Sequence, residues 1–166
     1  MAGIVMGIIG GLAAIVVSLP RCAPHWLGIW LFAAAAALVF GSALVVRQIG
    51  RRGHTRYLGP ARKFVFCLCP ALLGGAVLTL ALWEAGAASV IPGMWLLLYG
   101  CAVLSASTVT IAGITRLVCI MGAMFVALGA ITFALPATMH TAMLGLGFGF
   151  LHIVFGVLIG RVPDDG

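Results

Sequence analysis

Residues 47–63, RQIGRRGHTRYLGPARK, carry the reading on which the fold turns. Six of the nine Lys and Arg residues of the chain lie here: Arg47, Arg51, Arg52, Arg56, Arg62 and Lys63. Such a density of positive charge cannot sit in hydrocarbon. On both sides of it run apolar stretches long enough to cross a bilayer. A basic segment between two spans is retained on the cytoplasmic side of a membrane. The stretch is therefore expected to be a cytoplasmic loop.

The totals agree with that frame. The chain has 166 residues, 64% hydrophobic and 7% charged, whereas a soluble domain charges about a quarter of its positions. Its outer surface must then be lipid. The net charge of +6 is concentrated beside the apolar runs, where it suits anionic lipid headgroups. No folded basic domain is present to read a nucleic-acid groove. Membrane lipids are thus the expected partners, with headgroup contacts from Arg47, Arg51, Arg52, Arg56, Arg62 and Lys63, and nucleic acid is not.

Working outward, six spans are expected. The first covers about 2–19 and is closed by Pro20, since proline cannot continue a hydrogen-bonded helix. It lacks the basic start and small-residue cleavage site of a signal peptide, so it reads as a retained span. The second runs from Trp26 to about 46 and the third covers about 64–83, with Pro70 as a kink. A polar break at 84–91 precedes the fourth, which carries Pro92 in its first turn and reaches about 114. Arg116 marks a short turn. The fifth covers about 117–135, closed by Pro136, and the sixth about 143–159, followed by a short tail. Each is close to the ~20 apolar residues of a membrane helix, and the alternation of a β-barrel strand is absent.

Six spans place Arg116 and Arg161 with the basic stretch and leave Arg21 alone on the other side. That asymmetry puts both termini in the cytoplasm. The expected fold is all-α: a polytopic integral membrane helical bundle, one membrane domain over 1–166, its six transmembrane helices arranged as three hairpins at about 1–50, 64–112 and 117–161.

An internal repeat supports the hairpins. Leu12-Ala13-Ala14-Ile15-Val16-Val17-Ser18-Leu19-Pro20 aligns without gaps on Leu128-Gly129-Ala130-Ile131-Thr132-Phe133-Ala134-Leu135-Pro136. In the middle pair, Gly74-Gly75-Ala76 and Thr79-Leu80-Ala81-Leu82 echo this pattern, with Trp83-Glu84 where the proline would stand. The pattern resembles the small six-span HdeD-type membrane proteins of bacteria. In them a glycine-spaced helix ends in proline and a Gly-rich helix returns after a short outer loop. Gly7 to Gly41 and Gly122 to Gly160 carry the resemblance, and the middle hairpin departs from it. What it implies is a bacterial cytoplasmic (inner) membrane and an association with acid resistance, with no catalytic residues to transfer.

Several residues are candidates for function. Gly3, Gly7 and Gly11 form one stripe, Ala33, Ala37 and Gly41 a second, and Gly145, Gly149, Gly156 and Gly160 supply two small-x3-small pairs. Small residues four apart let helix backbones approach, either within the bundle or at a homo-oligomer face. His152 sits near the middle of the sixth span, where ionisable groups face the protein interior. Its expected partners are Ser105, Ser107, Thr108 or another polar group of the bundle. His25, His140 and Glu84 share the outer side, and histidines titrating near pH 6.5 beside a carboxylate form an acid-sensing group.

Other chemistries are excluded or thinly supported. The cysteines Cys22, Cys67, Cys69, Cys101 and Cys119 read as apolar packing residues, and no metal site or cofactor is expected. A bis-histidine haem lacks a second histidine at the depth of His152. Glu84 is the sole acidic residue before the tail, so no carboxylate pair exists for hydrolysis. The expected function is therefore non-enzymatic, structural or stress-protective. The alternatives are a small transporter or channel with a path near His152, and a quinone-binding or electron-transfer subunit.

Overall fold

The computed structural model describes the backbone of all residues except Met1, Gly53, Ile111 and 163–166. Side chains are described for the remainder apart from Ile49, Arg51, Arg52, 54–58, Pro60 and Ala112. The described residues form helices and no strand. These are α1 (Ala2–Val17), α2 (Trp26–Arg52), α3 (His54–Glu84), α4 (Ile91–Ser107) and α5 (Ala112–Ala134), then a final run. That run consists of α6 (His140–Leu144), a π-helical segment (Gly145–Leu151) and α7 (His152–Gly160). The tail at 163–166 lies outside the described residues.

Among the described residues, five helical stretches are long and apolar enough to cross a membrane: Ala23–Gln48, Ala61–Glu84, Ala88–Ser107, Gly113–Ala134 and Ala137–Gly160. Helix α1, with 16 residues, is about 24 Å long at ~1.5 Å per residue. That is somewhat less than the ~30 Å hydrocarbon core.

Three expected boundaries are corrected. The basic stretch 47–63 is not a loop, because α2 continues to Arg52 and α3 begins at His54. Arg, Gln, Leu, Ala and Lys are all strong helix formers, so the charges extend the helices rather than interrupt them. Arg116 is not a turn but lies within α5. The turn falls earlier, because Ser107, Thr108 and Thr110 donate their hydroxyls to the carbonyls of Leu104, Ser105 and Ser107, each at 2.7 Å. Such local bonds compete with helix continuation, which ends α4 at Ser107 instead of near 114. His140, expected in a loop, is the first residue of α6.

The three turns at the other ends of the helices share one construction. Each has a 3-10 turn opening on alanine, Ala23–His25, Ala88–Val90 and Ala137–Met139, that leads directly into a helix. In each, the following residue (Trp26, Ile91 or His140) donates its backbone N–H to that alanine's carbonyl. Pro20 and Pro136 stand before the first and third. The second lacks proline and stops α3 differently. Gly86 takes φ +71°, and the Ala87 N–H bonds to the Leu82 carbonyl at 2.8 Å and the Gly86 N–H to that of Trp83 at 3.1 Å. This is a Schellman motif, in which a residue without Cβ closes the helix.

The chain forms two compact units, Met1–His54 with Leu144–Gly166, and Thr55–Met143. In the first, α1 packs against α2, the π-helical segment and α7. Glycine sets the distance. A Cβ on Gly7 would lie 2.7 Å from the Gly149 carbonyl oxygen and one on Gly3 would lie 3.1 Å from Gly156 Cα. One on Gly145 would lie 2.9 Å from Ala14 Cβ. These contacts run antiparallel along nearly the whole of α1.

In the second unit the close pair is α4 with α5. Here Gly100 faces Gly122 and Gly93 faces Gly129. A Cβ on Gly100 would meet the Gly122 carbonyl oxygen at 2.8 Å, and one on Gly129 the Gly93 carbonyl oxygen at 3.0 Å. Phe125, fully buried, meets Tyr99 edge-on at 4.8 Å. The closest pairing in this unit thus joins the fourth and fifth helices, while α1 with α2 is a pairing of sequence neighbours.

These contacts predict which glycines tolerate a methyl group. Gly7→Ala and Gly100→Ala each destabilise the folded protein by about 1–3 kcal/mol through overpacking. Gly11→Ala, whose Cβ meets nothing within 4 Å, is neutral or slightly stabilising because alanine is the better helix former. Unfolding in mixed micelles, followed by circular dichroism, measures all three.

Candidate functional site

Among the described residues, five Ser, Thr and His side chains are buried: Thr79, Ser107, Thr132, His140 and His152. In lipid such groups require partners within the protein, and each has one. Thr132 Oγ1 donates to the Leu128 carbonyl at 2.7 Å and Ser107 Oγ to that of Leu104. Thr79 Oγ1 donates to the Gly75 carbonyl at 2.6 Å and accepts the indole N–H of Trp95 at 2.7 Å. That relay ties α4 to α3. The sequence carried no clear signal for it, since an isolated Thr and Trp in apolar runs look alike wherever they fall.

His140 is held at the end of α5. Its Nε2 lies 3.0 Å from the Leu135 carbonyl oxygen, one of the acceptors left over where the helix stops. Of the other outer-side residues, His25 and Glu84 are exposed. The three therefore differ in setting: two are solvated, while the third already serves a structural bond.

Of the expected headgroup contacts, Arg47, Arg62 and Lys63 are exposed, and the side chains of Arg51, Arg52 and Arg56 lie outside the described residues. The Arg62 guanidinium sits 5.6 Å from the centre of the Phe66 ring. An aromatic face holds the cation at the end of the apolar window Ala61–Glu84. All five cysteines are free, with Cys69, Cys101 and Cys119 exposed and Cys22 and Cys67 half-buried. Among the described residues no three His, Cys, Asp or Glu side chains gather where a metal ion could be held.

The centre of the first unit is where polar and aromatic chemistry meet. His152 is 4% exposed, and its Nδ1 approaches the Gly147 carbonyl oxygen at 3.4 Å. A carbonyl only accepts, so Nδ1 carries the proton in that bond. The imidazole stacks on Phe148, with centroids 6.1 Å apart and planes 23° apart. Phe148 also meets Trp30 of α2 at 6.3 Å and 54°. Trp30 is 4% exposed and its Nε1 has no hydrogen-bond partner. As for the partners expected of His152, Ser107 and Thr108 donate to carbonyls of their own helix and Ser105 is exposed.

This ladder stands on the π-helical segment Gly145–Leu151. Its glycines, Gly145, Gly147 and Gly149, have weak α preference and no side chain to resist a wider turn. Helix α1 crosses the segment closely, and a Cβ on Gly10 would collide with the Phe148 carbonyl group. Gly10 escaped the four-residue stripe, as did Gly93, Gly100, Gly122 and Gly129. A seven-residue spacing within both α4 and α5 was the signal that would have found the last four.

The Thr79–Trp95 bond predicts a measurable coupling. Thr79→Val and Trp95→Phe each cost about 0.6 kcal/mol, the average for such bonds in membrane proteins. The double variant costs less than their sum, which a thermodynamic cycle in mixed micelles resolves.

Comparison of the chain with protein-family models, with curated proteins and with solved structures finds no match.

Proposed function

We propose that the chain is a six-span protein of a bacterial cytoplasmic membrane, with both termini cytoplasmic and a structural or stress-protective role in place of catalysis. The observation that carries this reading is the glycine-to-backbone contact along α1, α4 and α5. It supports a bundle built for close, fixed packing. The buried hydroxyls point the same way, because Thr79, Ser107 and Thr132 are each committed to a backbone carbonyl. Hydroxyls so engaged are poor linings for a polar path.

The sixth span is α1. Its antiparallel contacts from Gly3–Gly156 to Ala14–Gly145 set it beside a stretch that is itself long enough to cross, which supports its spanning despite its length. Six crossings leave Arg21 as the only Lys or Arg on the outer side. The basic residues of 47–63 then contact anionic headgroups at the inner surface, with Arg62 steadied by Phe66. The resemblance of the first and last hairpins to HdeD-type proteins supports an acid-stress setting.

Two measurements on one set of strains test this. Single cysteines at Ala85 and Thr138, placed in a cysteine-free background, react with a membrane-impermeant maleimide added to intact cells, while one at Gly53 does not. A deletion strain loses acid survival by at least tenfold and regains it with the wild-type gene but not with the Gly7→Ala, Gly100→Ala double variant. Labelling at Gly53 from outside overturns the topology. Unchanged survival of the deletion strain overturns the protective role.

A further inference from the structure

Two indoles in this protein are treated in opposite ways. Trp95 donates its N–H to Thr79 at 2.7 Å. Trp95 is half-buried, whereas Trp30 is 4% exposed and its enclosed Nε1 has no hydrogen-bond partner. An indole N–H is a donor only, and in hydrocarbon an unpaired one costs several kcal/mol. Three further features surround it. Phe148 stands against its ring, His152 stacks beyond Phe148, and the backbone carrying both rings enters His152 from a seven-residue π-helix. Such windings are rare and occur often at functional sites.

The missing partner must be an acceptor that reaches this depth. Trp30 lies about 10 Å from the Ala23 end of its apolar window, at ~1.5 Å per residue. Glycerol ester carbonyls of phospholipids stay at the boundary of the hydrocarbon, so they fall short of that level. A flat conjugated carbonyl compound dissolved in the bilayer does not. Its ring suits a stack with Phe148, which is only half-buried and so is the side open to the lipid.

We propose that Trp30, Phe148 and His152 form an intramembrane binding site for the headgroup of a lipid-soluble quinone, with a quinone carbonyl oxygen accepting the Trp30 Nε1–H. The headgroup enters from the bilayer beside Phe148. Trp30 fixes its carbonyl and Phe148 its plane, while His152 supports Phe148 from behind. The site is independent of the protective role proposed above.

The test uses the full chain, purified in a maltoside detergent and labelled with 15N at its tryptophans. A benzoquinone with a decyl tail is titrated in, and the indole resonance that disappears in Trp30→Phe is followed. The expected result is a saturable downfield displacement of that proton. Decylbenzene, which lacks carbonyls, leaves it in place. By equilibrium dialysis Trp30→Phe weakens quinone binding about tenfold, the loss of one good hydrogen bond, and Trp26→Phe leaves it unchanged. The proposal is overturned if the resonance does not move, if it moves equally with decylbenzene, or if only added phospholipid moves it. Rapid exchange of the proton with bulk water, before any quinone is added, overturns it as well. Because the resonance is read on the wild type, the result stands even if a variant folds poorly.

Discussion

Inside a bilayer a helix gains nothing by hiding apolar side chains from its surroundings, because the lipid is as apolar as they are. Association must come from close contact and from hydrogen bonds. The arrangement of this protein follows from that constraint. Where helices meet tightly, at α1 with the final run and at α4 with α5, the meeting points are glycines whose missing Cβ lets one backbone rest on another. Where they are not in such contact, Trp95 and Thr79 join α4 to α3 by a side-chain bond.

The same constraint governs the polar groups. Thr79 accepts the Trp95 indole N–H from a neighbouring helix, but it and the buried hydroxyls of α4 and α5 donate back to a carbonyl of their own helix. At 107–110 several such bonds occur together, and there they shape the chain by ending one helix early. His140 does comparable work from the far side of a turn, supplying a ring nitrogen to a leftover carbonyl of α5. Trp30 is the exception, and its position in an aromatic ladder against an unusual helical winding is what sets that region apart.

Much of this was legible in the sequence. Apolar runs bounded by Pro20, Pro136 and the basic stretch gave helices at nearly the right positions, because proline and charge impose boundaries that context seldom overrides. The glycine stripe of α1 was visible through its four-residue period. What escaped was set by geometry that single positions do not encode. A dense run of basic residues suggests a loop, yet standing outside hydrocarbon does not require leaving a helix. Gly86 was not seen to replace proline, as a left-handed residue is identified only by its dihedral angle. Nothing in the residue types announces that the His152 ring bonds within its own run and stacks on a residue four positions earlier. The π-helix had no foreshadowing beyond alternate glycines.

That winding has a consequence for how the gene can change. A π-helical turn holds more residues than an α-helical one, so Gly145–Leu151 amounts to an insertion already absorbed into a spanning segment. Losing one codon there would tighten the coil toward the ordinary form and leave the phase of α7 nearly as it is. In a regular stretch of spanning helix a deletion rotates all that follows by about 100°. Within this final run, Gly145–Leu151 is therefore where a change of length is most cheaply absorbed, and where it would act on the setting of His152 without re-aiming the rest of α7.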